Sequence, residues 1–191
     1  MRLMKRYLLY IFLLLCTGIV SPLLAQDTLF DSSDPKLPCT FQYPISWTKT
    51  KSEGVKEQYS EYDLTGPVNA EKTYSAHISM TAMDPASAKG KTPNEYLDRF
   101  LDSVKALHDH YEVLSRTNTV FWGQSVPTID VAYAIPLPYG SAKFTWTIIR
   151  ERRAVTVNNG KLWTFVYAAD KDDFDKYVSV YQHLMETFFF K

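Results

Sequence analysis

The side chains best suited by type and spacing to do chemistry are His108 and His110 around Asp109, the run Asp170, Asp172, Asp173 and Asp175, and the arginine-rich segment Ile149–Arg153 (IRERR). Two imidazoles and a carboxylate are the raw material of a metal site or a proton relay. Residues two apart on a helix do not share a face, however, and imidazoles near a helix C-terminus are accounted for by its dipole. The acidic run lacks the glycine and the twelfth-position glutamate of a calcium loop, and it reads as a helix start. Tyr139-Gly140-Ser141 is not framed as a nucleophile elbow. The six glycines beyond residue 25 are isolated, so no phosphate-cradling loop is present. These absences lead us to expect no catalytic residue, no metal and no cofactor. An enzyme whose residues converge without a linear motif is the least favoured of three functional readings.

Binding chemistry is better represented. Arg150, Arg152 and Arg153 concentrate positive charge around Glu151. They read either as a charged, bent segment that guards a sheet edge, or as an acceptor for an acidic partner. Tyr59, Tyr62, Tyr74, Tyr96, Tyr133 and Tyr139 are numerous enough to supply an aromatic groove or a partner surface, since tyrosine is enriched at interfaces. Trp47, three residues after Pro44, reads chiefly as a lid folded back onto the sheet, with ligand contact as the alternative. The candidate partner surface is therefore Arg150, Arg152, Arg153, Tyr59, Tyr62 and Trp47. Cys39 is expected to be buried and inert.

The chain has 191 residues, 21 Lys+Arg against 21 Asp+Glu, and 15% aromatics. That suits one ordinary domain and argues against nucleic-acid binding, which normally needs a basic excess. Three of the positive charges, Arg2, Lys5 and Arg6, precede the uncharged apolar run Tyr7–Val20, and Leu23-Leu24-Ala25 follows Pro22. This is the layout of a secretory signal peptide, cleaved after Ala25. The alternatives are a retained anchor over Tyr7–Ala25 or lipidation of Cys16, and only these two would put the protein on a membrane. Without residues 1–25 the chain holds 18 basic against 21 acidic groups.

The elements that must position these residues follow from periodicity. Gln26–Pro38 reads as a flexible lead-in, and residues 39–191 as a single domain. Cys39–Tyr43, Val55–Leu64 and Thr73–Met83 are strand candidates, with Gly66-Pro67 as a turn between the last two. Thr92, Pro93 and Glu95 open a helix with a capping box, and Leu97, Phe100, Leu101, Val104 and Leu107 form its apolar stripe. Tyr111–Trp122, Val126–Leu137, Ala142–Val157 and Leu162–Ala169 are further strands, the third with a bend near Arg150–Arg153. Asn159-Gly160 predicts a two-residue hairpin that sets Val157 opposite Leu162 and Val155 opposite Thr164. A second amphipathic helix starts at Asp170–Asp173 and carries Phe174, Tyr177, Val178, Tyr181, Leu184, Met185 and Phe188. Short connections make the expected fold α+β, with a mainly antiparallel six- to seven-stranded sheet sandwiched by helices.

Three stretches carry a family resemblance. "FQYPISW" at Phe41–Trp47, "GKLWTFVYAAD" at Gly160–Asp170 and the terminal "LMETFF" resemble the PsbP-like family. That family comprises photosystem extrinsic proteins, bacterial relatives and the Ran-binding Mog-type factors. The resemblance implies a helix-covered antiparallel sheet and an accessory, non-enzymatic role, and it supplies no catalytic residues. The favoured expectation is an exported, periplasmic or secreted accessory protein that contacts another protein of the cell envelope or the cell exterior. The second is a carrier of a small apolar ligand in an aromatic pocket.

Overall fold

Alternation builds the sheet. In β5 (Ser75–Met83), Ala76, Ile78, Met80 and Ala82 enter a buried core, while His77, Ser79 and Thr81 occupy the opposite face. The computed structural model describes residues 26–32, 34–53, 59–88, 92–108 and 110–191, so the expected signal peptide and its cleavage after Ala25 lie outside the described residues. Among these residues no helix is long and apolar enough to cross a membrane.

The order is β1 (Asp27–Asp31), β2 (Cys39–Pro44), β3 (Thr48–Glu53), β4 (Tyr59–Val68), β5, α1 (Pro93–Leu107), β6 (Tyr111–Phe121), β7 (Gln124–Leu137), β8 (Thr145–Asn158), β9 (Lys161–Asp170), α2 (Lys171–Thr187) and β10 (Phe189–Phe190). Seven strands form one sheet in the order β3-β4-β5-β9-β8-β7-β6, and every neighbouring pair is antiparallel. Helix α1 carries the chain from β5, in the middle of the sheet, to β6 at its far edge. A meander then returns to β9. The small sheet β1-β2-β10 packs with α2. The fold is thus the expected α+β arrangement, with a seven-stranded antiparallel sheet and helices on both faces.

Each helix is fixed by its ends and by its stripe. Thr92 accepts a hydrogen bond from the Glu95 amide, and Pro93 stands at the first turn, as the sequence predicts. Leu97 and Val104 are buried, and Leu97 packs with Ile129, Val131, Val155 and Leu162 of β7, β8 and β9. Asp170 caps α2 through the Asp172 amide. From α2, Phe174, Tyr181, Leu184 and Met185 join Trp163, Phe165 and Tyr167 of β9 on the other face. Phe188 closes this core, with its ring 4.8 Å from Phe165 and 5.7 Å from Trp163. Asn159 and Gly160 both have positive φ, and they set the predicted register, Val157 with Leu162 and Val155 with Thr164.

Four expectations differ from the structure. The lead-in contains β1, whose partner is β2, with the Phe30 ring tilted against Phe41 and edge-on to Tyr62. Strand β3 (TKTKSE) has no apolar alternation, because it is an edge whose exposed positions are polar, and it goes unseen in the sequence. Gly66-Pro67 is no turn: both residues lie within β4, past its pairing with β3, where the β4–β5 register shifts. Gly66 is small because a Cβ there would stand 2.6 Å from the Trp47 ring. Lastly, Arg150–Arg153 is neither bent nor at an edge. Strand β8 lies between β9 and β7 with continuous register on both sides, because each arginine finds a partner across the sheet or above it.

Candidate functional site

The candidate partner residues separate on folding. Trp47 is only 5% exposed, seated on Gly66 and edge-on to Tyr177. It is the lid expected after Pro44, and it offers no surface. Tyr62 is buried too, with its hydroxyl 3.0 Å from Ser32 Oγ. Arg152 donates to both oxygens of Asp130 at 2.8 and 2.7 Å. This pairing holds its guanidinium above the usual arginine range. Arg153 pairs with Glu151 at 2.8 Å, lies over the Phe100 ring and donates to the Tyr96 hydroxyl. Arg150 sits over Phe174 and reaches Asp175 at 3.2 Å. Arg150 and Arg152 face α2, whereas Arg153 faces α1, so the three present no common basic patch. Of the six, Tyr59 alone is an exposed aromatic, at the mouth of a cleft beside α1.

The histidines are equally divided. His108 caps α1 and stacks on Tyr133 at 4.5 Å, while His110 is exposed ahead of β6; Asp109 lies outside the described residues. Among the described residues no group of three or more His, Cys, Asp or Glu side chains is placed to hold a metal ion. Cys39 is buried, and burial pushes its thiol up to about 12, which makes it a poor nucleophile at neutral pH.

What the fold leaves uncovered among the described residues is the start of β8 together with the residue before it. Phe144, Trp146 and Ile148 alternate with threonines and are 49%, 58% and 41% exposed. They stand on the α2 side of the sheet, since they share parity with Ala154, which belongs to that core. Helix α2 starts directly after β9 and runs over β9, β2, β5 and the middle of β8 at Arg150, so among the described residues nothing covers the start of β8 and the end of β7. Phe144 and Trp146 meet edge to face at 5.6 Å. Beside them Ala132 and Ala134 form the floor of an open groove of about 610 Å³, bounded by Tyr111 and Glu112 of β6. The small floor residues and the large rims make a concave apolar strip that ends at a free sheet edge. Sequence reasoning missed this strip. Its signal was present, as an apolar residue at every second position of Phe144–Ile148, but that pattern reads as a half-buried strand and does not say that one end stays bare.

The sheet, its two helices and their order define a class of α+β proteins in which an antiparallel sheet is held between helices. No family model and no curated protein matches the chain. Among solved structures, it is similar to the Ran-binding protein Mog1p of Saccharomyces cerevisiae, at 11% identity, with 87% of this chain and 96% of that one covered and a TM-score of 0.49. It is similar to cyanobacterial PsbP (CyanoP) of Synechocystis sp. PCC 6803, at 16% identity, 92% and 97% coverage and a TM-score of 0.44. LpqN of Mycobacterium tuberculosis, involved in cell envelope biogenesis, is similar at 15% identity, 85% and 89% coverage and a TM-score of 0.48. The first two are of the kinds that the sequence motifs resemble. Likeness at this level describes the course of the chain and transfers no activity.

Proposed function

We propose that this is an exported, non-enzymatic accessory protein that binds another protein of the envelope or the cell exterior through the Phe144–Trp146–Ile148 stripe. One observation carries the reading: three large apolar side chains stand bare at alternate positions along the start of β8 and the residue before it, in a strip that runs across β7 to the edge strand β6. Exposed contiguous apolar surface marks interaction sites, and tryptophan is prominent among the residues that dominate binding energy. Export is supported by the basic–apolar–small layout of residues 1–25, with a single domain following the cut.

The groove over Ala132 and Ala134 favours a second reading, a carrier of a small apolar ligand, because its volume lies within the range of ligand sites. Site-specific photocrosslinking in the producing cells separates the two. A photoreactive residue at Trp146 should capture a protein, the same residue at Lys176 should not, and Ile148→Glu should abolish capture. Absence of protein capture together with a co-purifying apolar molecule selects the carrier. Absence of both overturns both readings.

A further inference from the structure

On the opposite face of the sheet, α1 covers β7 and β8 but stops short of β4 and β5. The gap is a cavity of about 260 Å³, close to the lower end of small-molecule sites, roughly 300 Å³. Its floor is the directly opposed pair Thr81 and Thr164. Both are more than nine-tenths buried, at 8% and 2% exposure, and both line the cavity. One wall is Glu61, with Tyr59 beside it; the other is Tyr96 and Arg153. The Arg153 charge is already balanced by Glu151 at 2.8 Å. Asp63 follows Glu61 two residues along the same face, and its carboxyl shares a hydrogen bond with that of Glu61. No lysine or arginine forms a salt bridge with either carboxyl among the described residues. His77 lies beyond Asp63, with its Nδ1 3.3 Å from the Tyr74 hydroxyl. Burial holds both carboxyls above the usual range, Asp63 adding to the effect on Glu61 while Arg153 and Ser79 oppose it.

A half-buried pair of acids, two hydroxyl oxygens and two tyrosine rings suit a cation with several donors, beyond the Arg153 guanidinium that Glu151 already balances. We propose that this groove binds a primary ammonium group. Its three N–H donors match the Glu61 carboxylate, Thr81 Oγ1 and Thr164 Oγ1, and Tyr59 and Tyr96 flank the carbon chain and the charge. The cavity continues along α1 into a wider cleft of about 570 Å³ that shares Tyr59, Met83 and Tyr96, so a longer chain behind the ammonium has room. Such a group comes from a free alkylamine or from a lysine side chain of another protein. The site lies on the other face from Trp146, so its test is independent of the partner surface.

An amide-resolved NMR titration with n-butylammonium and, in parallel, with Nα-acetyl-lysine N-methylamide tests this. Saturable shifts at Thr81, Thr164 and Glu61 are expected. Affinity should fall at least about tenfold in Glu61→Gln and in the isosteric Thr164→Val, with Trp146→Ser unaffected. Tighter binding of the lysine derivative assigns the ammonium to a protein, and tighter binding of butylammonium assigns it to a small amine. Equal binding of 1-butanol, undiminished binding in a folded Glu61→Gln protein, or no saturable shift up to about 50 mM would overturn the proposal.

Discussion

The two faces of the seven-stranded sheet are finished in opposite ways. On the α2 face, rings fill the space: Trp163, Phe165, Tyr167, Phe174, Tyr181 and Phe188 are buried together, and Phe190 of β10 adds an edge contact to Trp163 at 5.1 Å. On the α1 face, a smaller aliphatic core of Leu97, Ile129, Val131, Val155 and Leu162 gives way to a polar half-face of Glu61, Asp63, His77, Ser79, Thr81 and Thr164. Each face is left unfinished at one end. Among the described residues the aromatic face stays bare over the start of β8 and the end of β7, and the aliphatic face stays bare over β4 and β5. Stability is thus concentrated where the faces are complete, and binding potential where they are not.

Mutations should reproduce that division. Phe165→Ala, at the centre of the aromatic core, should cost about 3–5 kcal/mol in urea unfolding. Leu97→Ala, on the aliphatic face, should cost about 2–4 kcal/mol, and a larger loss than Phe165→Ala would reverse the ranking of the two cores. Thr92→Ala removes the α1 cap and should cost about 1 kcal/mol.

Glu61→Gln tests the polar half-face through pH. The Glu61 carboxyl has a raised pKa in the folded state, so the folded protein holds its proton more tightly than the unfolded chain does. That contribution is complete below the ordinary carboxylate pKa, near about 4, and is lost as pH rises through the raised value. Glu61→Gln should therefore be more stabilising at pH 7 than at pH 4, by less than about 1 kcal/mol; equal effects at both pH values would remove the acid pair from the comparison. Trp146→Ser should change stability by no more than about 0.5 kcal/mol while abolishing partner capture. A large loss of stability would show the stripe to be core.

Much of this plan was legible in the sequence. The Asn159-Gly160 turn fixed a register, because positive φ at two adjacent positions leaves few alternatives. The Thr92-Pro93-Glu95 signal placed the start of α1 at the right residue. Strand β3 was hidden, since an exposed edge has no need of alternation, and β1 lay within a segment of aspartates and prolines. Local charge also misled. Arg150, Arg152 and Arg153 form a cluster in sequence only, because consecutive strand residues point to opposite faces and each finds its own acid. The two incomplete face ends could not be read at all. They depend on where α1 and α2 lie across the sheet, which no single segment encodes.

Cys39 gives the molecule an internal clock. In a chain cut after Ala25 it is the sole thiol, sealed in the core beneath β1 and β10. A water-soluble thiol reagent can reach it only when the structure opens. The rate of labelling therefore reports how often the small sheet lifts away, without a probe being added. If labelling keeps pace with global unfolding, the small sheet and the large one open as a unit. If it runs faster, the β1-β2-β10 layer is a separate leaf that peels first.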